Sequence, residues 1–206
     1  MLLFTYALAA EPAVTEVAVG FAANGEAVFQ DGLKRVYEDI GGSVGGEIMV
    51  SARTRWPVEI SLEGGFRELA GTREGGTAAT ALWYAPVSAL VSARYDAGRM
   101  ALLAGAGPSW VMYGESTGEV LDTERSDSGA RPGLLFEASG RWHTDWIRPT
   151  LHHPGEGPRG LDVFVALGYR YSDVNDAARE ANTCMEAPCG IDLSAARVSA
   201  GLALRL

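Results

Sequence analysis

Lysine is all but missing from this chain: Lys34 is the only one among 17 basic residues, set against 26 acidic ones for a net charge of -9. A nucleic-acid-binding surface needs a dense basic stripe, so that class of partner is excluded. Long apolar runs are missing as well. No window approaches the roughly 18 uninterrupted apolar residues of a transmembrane helix, which excludes helical membrane spans. Histidine occurs only as His143, His152 and His153, and cysteine only as Cys184 and Cys189. Two thiols are too few for a four-thiolate zinc site, and their spacing is not the Cys-x-x-Cys of a redox motif. The expectation is a local disulfide between Cys184 and Cys189, which would persist in an oxidising compartment such as the periplasm or cell surface. Two free thiols in a cytosolic protein are the alternative.

Glycine, in contrast, is abundant. It supplies 26 of 206 residues, about twice its usual share of roughly 7%, with no collagen-like period of three. Together with 47% hydrophobic residues and a mean hydropathy of +0.03, this points to one domain built from sheet. The first residues, Met1 to Ala13, form an apolar stretch ending in Ala7-Leu8-Ala9-Ala10 before Glu11-Pro12. That pattern resembles the end of a secretory signal peptide, cleaved after Ala9 or Ala10, although no basic segment precedes it. Residues 1–13 are thus expected to be a leader remnant or periplasmic N-terminus, and 14–206 a single domain; an ordinary buried first strand is the other reading of the N-terminus.

Alternation with period two runs along nearly the whole chain. In the stretch 58–67, Val58, Ile60, Leu62, Gly64 and Phe66 oppose Glu59, Ser61, Glu63, Gly65 and Arg67. In 161–172, Leu161, Val163, Val165, Leu167, Tyr169 and Tyr171 oppose Asp162, Phe164, Ala166, Gly168, Arg170 and Ser172. The tail repeats it, with Val198, Ala200, Leu202, Leu204 and Leu206 against Arg197, Ser199, Gly201, Ala203 and Arg205. The pattern predicts eight strands, near 14–23, 43–55, 58–70, 80–96, 100–114, 132–143, 161–173 and 193–206. Each is long enough for the roughly 9–11 residues with which a tilted strand crosses a bilayer, where strands of soluble domains average about 5–6.

The connections alternate in length. Arg55-Trp56-Pro57 and Asp96-Ala97-Gly98-Arg99 are short, whereas 24–42, 71–79, 115–131 and 174–192 are long and polar. Short turns at one rim and long loops at the other are how bacterial outer-membrane barrels are built. The connection 144–160 breaks this rule and, with Arg148-Pro149, His153-Pro154 and Gly157-Pro158, reads as an irregular periplasmic excursion.

These residues resemble the small eight-stranded outer-membrane β-barrels of the OmpX, OmpW and OmpA-domain type. Ala101-Leu-Leu-Ala-Gly-Ala-Gly-Pro-Ser-Trp-Val looks like their glycine-rich middle strand and Phe164-Val-Ala-Leu-Gly-Tyr-Arg-Tyr like their penultimate one. The resemblance implies an all-β, eight-stranded antiparallel up-and-down transmembrane barrel in a bacterial outer membrane. It also implies surroundings of membrane lipid and lipopolysaccharide, and delivery by the barrel-assembly machinery through the C-terminal strand. In that family the last residue is usually aromatic; here it is Leu206.

A soluble lipocalin-like carrier has the same strand count with the faces reversed. Tyr and Trp near predicted strand ends (Trp56, Tyr95, Tyr113, Trp142, Trp146, Tyr169, Tyr171) favour lipid outside, as an interfacial girdle. The charged face, with Glu47, Arg53, Glu59, Glu63, Arg67, Arg94, Glu137, Arg141, Arg170, Arg197 and Arg205, then lines a lumen otherwise made of Ala, Ser and Gly. Buried charges must pair, so these residues are expected to form a ladder of ion pairs, read either as a solid polar core or as a narrow conducting path. Some barrels of this size are lipid A hydrolases or acyltransferases that use a histidine and a serine. Here all three histidines fall on the short-turn side, and no serine follows one in a motif. Neither His152-His153 with Glu156 nor the acidic residues Glu115, Glu119, Asp122, Glu124 and Asp127 have the spacing of a defined metal site. The expected function is non-enzymatic and cofactor-free, with surface loops serving envelope stabilisation, adhesion or binding of an extracellular or envelope partner. Passive, porin-like transport of small solutes, hydrophobic ones included, is the rival reading.

Overall fold

The computed structural model describes residues 13–28, 43–72, 79–117, 125–144, 160–172 and 194–206. They form eight strands: β1 Val14–Val28, β2 Ser43–Thr54, β3 Val58–Thr72, β4 Ala79–Ala97, β5 Met100–Thr117, β6 Arg125–Thr144, β7 Gly160–Ser172 and β8 Ala195–Arg205. Each pairs antiparallel with the next, and β1 pairs back to β8 from Ala18↔Arg205 to Val28↔Ala195, closing the barrel. Closure leaves no unpaired edge in lipid.

The period of two decides which way each side chain points. Phe21, Ile48, Leu62, Val91, Leu102, Phe136, Leu167 and Leu202, one from each strand, point outward and are 45% to 63% exposed. In water so much exposed hydrocarbon would drive aggregation; in a bilayer it is the solvated face. Of the outward residues expected from the alternation, Ile60, Leu62, Val165 and Leu167 are exposed while Val58 and Val163 are half-buried. Trp56, Tyr95 and Trp142 lie exposed near the short-turn rim. Nearer the other rim, the rings of Phe66 and Trp83 stack with centroids 6.4 Å apart, and Tyr169 and Tyr171 face outward with them.

Several expectations need correction. Strands reach further toward the long connections than the alternation suggested. Asn24 to Val28 extend β1, and β5 and β6 run to Thr117 and from Arg125, so Glu115 and Asp127 oppose each other in the sheet. In Glu115-Ser116-Thr117 and Arg125-Ser126-Asp127 polar residues follow one another in the sequence, which erases the alternation there. Tyr113 does not belong to the girdle. It shares the inward parity of Ser109 and Val111, is 5% exposed, and lies with its ring 5.7 Å from the Arg131 guanidinium. The interior is also more apolar than expected: Leu82, Leu90, Leu103, Val111, Leu135 and Phe164 are buried within it. These come from β4 to β7, where they pack beside inward charges of the same strands, among them Arg94, Glu137, Arg141 and Arg170. Trp146, His152, His153, Glu156, the connection 145–159 and Cys184 and Cys189 lie outside the described residues.

Candidate functional site: the charged lumen

Four clusters of charge follow one another down the lumen from the long-connection rim. In the first, Glu26 on β1 receives two bonds from Arg170 on β7, at 3.0 and 2.9 Å. Arg67 on β3 lies 3.0 Å from the same carboxylate. The Tyr84 hydroxyl donates to Glu26 across 3.2 Å and meets Ser43 at 2.6 Å. Both guanidiniums stand over the Tyr84 ring, 5.6 and 5.7 Å from its centre. Two cations thus share one anion and an aromatic face.

The second cluster reverses that balance. Arg197 on β8 is met by Glu63 at 2.5 Å, by Glu47 at 3.6 Å and by Glu137. Asn24 donates to Glu47 across 2.7 Å, and the Ser199 hydroxyl lies 3.4 Å from the same oxygen. Three carboxylates therefore depend on one guanidinium. In the third cluster Glu59 accepts from Arg94 at 2.7 Å and pairs with Arg141 at 2.6 Å. Arg94 and Arg53 share Asp96, at 2.9 and 2.8 Å. The fourth lies at the short-turn rim: Asp162 holds His143 Nδ1 at 2.8 Å and Arg205 Nε at 3.0 Å, and Arg205 reaches Glu16 at 3.7 Å.

The sign of the excess alternates down the lumen, basic, acidic, basic, so each cluster's surplus faces an opposite one. Eleven charged residues were predicted for the inward face, and each takes part in one of these contacts; Arg53 alone is substantially exposed, at 39% of its side chain. Sequence reasoning missed Glu16, Asn24, Glu26, Tyr84, Asp96 and His143, and set Asp162 on the inward face without counting it in the charge ladder. Parity was the available signal, since Ala18, Gly20 and Ala22 place Asn24 and Glu26 on the same inward face. Among the described residues no group of three or more His, Cys, Asp and Glu side chains is disposed to hold a metal ion.

Glycines make room for these side chains. A Cβ on Gly45 would stand 2.6 Å from Arg67 Cγ, and one on Gly168 3.0 Å from Arg197 Cγ and Nε. Bulk at either position would push a guanidinium out of its cluster.

No family description matches the sequence, and no curated protein matches it either. Solved structures do. A major outer membrane protein from Thermus thermophilus is 14% identical, covers 92% of this chain and 99% of its own, and superposes with a TM-score of 0.56. Ail, the attachment invasion locus protein of Yersinia pestis, crystallised with the heparin analogue sucrose octasulfate, is 11% identical over 93% of this chain and 97% of its own, with a TM-score of 0.49. Neisserial surface protein A is 12% identical over 92% and 95%, with a TM-score of 0.46. At these identities the likeness is one of fold. The fold shared with the Thermus protein, together with the outward hydrocarbon band, the inward charge and the unbroken ring of strands, gives the chain the architecture of a small eight-stranded outer-membrane β-barrel.

Proposed function

We propose that this barrel acts at the cell surface through its long connections, in envelope stabilisation, adhesion or capture of a partner, and is neither a channel nor an enzyme. The distribution of charge carries the reading. In the lumen eight carboxylates (Glu16, Glu26, Glu47, Glu59, Glu63, Asp96, Glu137, Asp162) face eight arginines (Arg53, Arg67, Arg94, Arg131, Arg141, Arg170, Arg197, Arg205), all in the ion pairs given above except Arg131, which stands over Tyr113. The segments 29–42, 73–78, 118–124 and 173–193, which leave the long-connection rim, carry twelve carboxylates against four cations. The net charge of the protein thus resides at one rim, while the interior is balanced and packed, as suits an eight-stranded barrel whose bore holds little more than side chains.

Acidic loops favour a cationic partner: a basic protein surface, or divalent ions shared with lipopolysaccharide phosphates. They suit a polyanion poorly, so the heparin analogue seen with Ail is not the ligand class we assign here. His143, paired through Nδ1 with Asp162, lies at the short-turn rim, which on this reading faces away from lipid A.

Two measurements on the full chain in lipid nanodiscs and planar bilayers test the proposal. Polylysine should bind and heparin should not, with binding weakened as salt shortens the screening length; bilayers should show no steady conductance. Steady single-channel currents that disappear in Glu63→Gln or Arg170→Ala would establish the transport reading instead.

A further inference from the structure

The outer wall of the barrel carries a groove of about 730 Å³ across β1 to β4. Its origin is two outward-facing glycines. Gly46 lies between Ala23 and Phe66 in the sheet, and Gly64 lies between Ile48 and Val87. A Cβ on either would meet nothing within 4 Å. The floor is bare backbone, and Phe21, Ile48, Leu62 and Phe66, 54% to 63% exposed, stand around it. Glu47 and Glu63 lie behind the floor with their carboxylates turned inward to Arg197, so the groove presents almost only hydrocarbon.

We propose that this groove holds an acyl chain of a membrane lipid at a defined position on the barrel. It opens within the lipid-facing band, so hydrocarbon or another embedded protein must fill it; left empty, its walls would forfeit their dispersion contacts on one side. A second copy of the chain is a poor occupant. A two-fold contact sets the same patch against itself, and two concave surfaces facing each other leave both unfilled. A flexible chain of methylenes follows an irregular apolar trough without any complementary polar group, and the floor offers none. On the opposite wall Leu102, Phe136 and Leu167 on β5, β6 and β7 are 48%, 48% and 62% exposed, comparable in accessibility to the groove walls.

The test uses the full chain in phosphatidylcholine nanodiscs doped with a phospholipid that carries a photoactivatable diazirine on its acyl chain, with labelled residues mapped by mass spectrometry. Labelling should concentrate several-fold on Ile48, Leu62 and Phe66 over Leu102, Phe136 and Leu167. In Gly64→Phe, which fills the trough where nothing obstructs a side chain, the two faces should become equal while heat-modifiable migration shows the barrel intact. Gly46→Ala, a smaller filling, should reduce the excess partway and guards against a folding failure of the larger one. Equal labelling of both faces in the unaltered protein would overturn the proposal, as would links between the β2–β3 walls of two protein copies.

Discussion

At the scale of single residues, Arg197 is the position on which most depends. Replacing one member of a buried ion pair leaves the other charge without compensation, at a typical cost of about 3–5 kcal/mol. Arg197→Met would strand three carboxylates together, whereas Glu47→Gln removes one and leaves Glu63 and Glu137 in place. Urea unfolding in lipid vesicles should therefore show Arg197→Met losing several kcal/mol more than Glu47→Gln. Equal losses would mean that the cluster is hydrated and the charges act independently. Gly98 gives a second case. It opens the two-residue turn between Ala97 and Met100 at φ 64°, a region that costs a residue with a Cβ roughly 1–2 kcal/mol. Gly98→Val should lower stability by about that amount and leave the lumen clusters unchanged, as a urea midpoint shift without change of slope would report.

At the scale of elements, depth in the bilayer sets the cost of a change. Leu62 sits mid-strand on β3, and Val44 is second in β2, next to the long-connection rim. Arginine on the lipid face costs about 2–4 kcal/mol at the midplane and roughly 0–1 near the interface. Leu62→Arg should accordingly destabilise the barrel far more than Val44→Arg in the same vesicle assay, and a reversed order would misplace the membrane. The number, order and faces of the strands were legible because they follow from one local rule, that lipid wants apolar side chains and the lumen tolerates charge. Val163, Val165 and Leu167 against Asp162, Phe164 and Arg170 illustrate it directly. Strand ends were not legible, since polar residues follow one another at Ser126, Asp127 and Ser128 and obey no alternation. Pairing was not legible either. That Glu26 meets Arg170 and Arg67, with no other arginine bonded to it among the described contacts, depends on strand register and tilt, which period two leaves open.

For the whole molecule, the seam between β1 and β8 joins residues from opposite ends of the chain. Deleting 195–206 should leave β7 and β1 with open edges, abolish heat-modifiable migration and yield aggregate, since such edges cannot remain unpaired in lipid. A shorter but closed barrel would contradict this. The seam also poses a problem of choice. Slipping β8 by one residue against β1 would turn its charged face to lipid and is prevented by hydrophobicity alone. Slipping it by two keeps every apolar residue outside and every polar one inside, so the hydrophobic pattern cannot tell that arrangement from the native one. Only the partners inside can: Arg205 would lose Glu16 and Asp162, and Arg197 its three carboxylates, each a buried charge left alone. The ion pairs of the lumen thus act as a key that admits one closure of the cylinder and rejects its nearest look-alike, a specificity that would remain even if their net contribution to stability were zero.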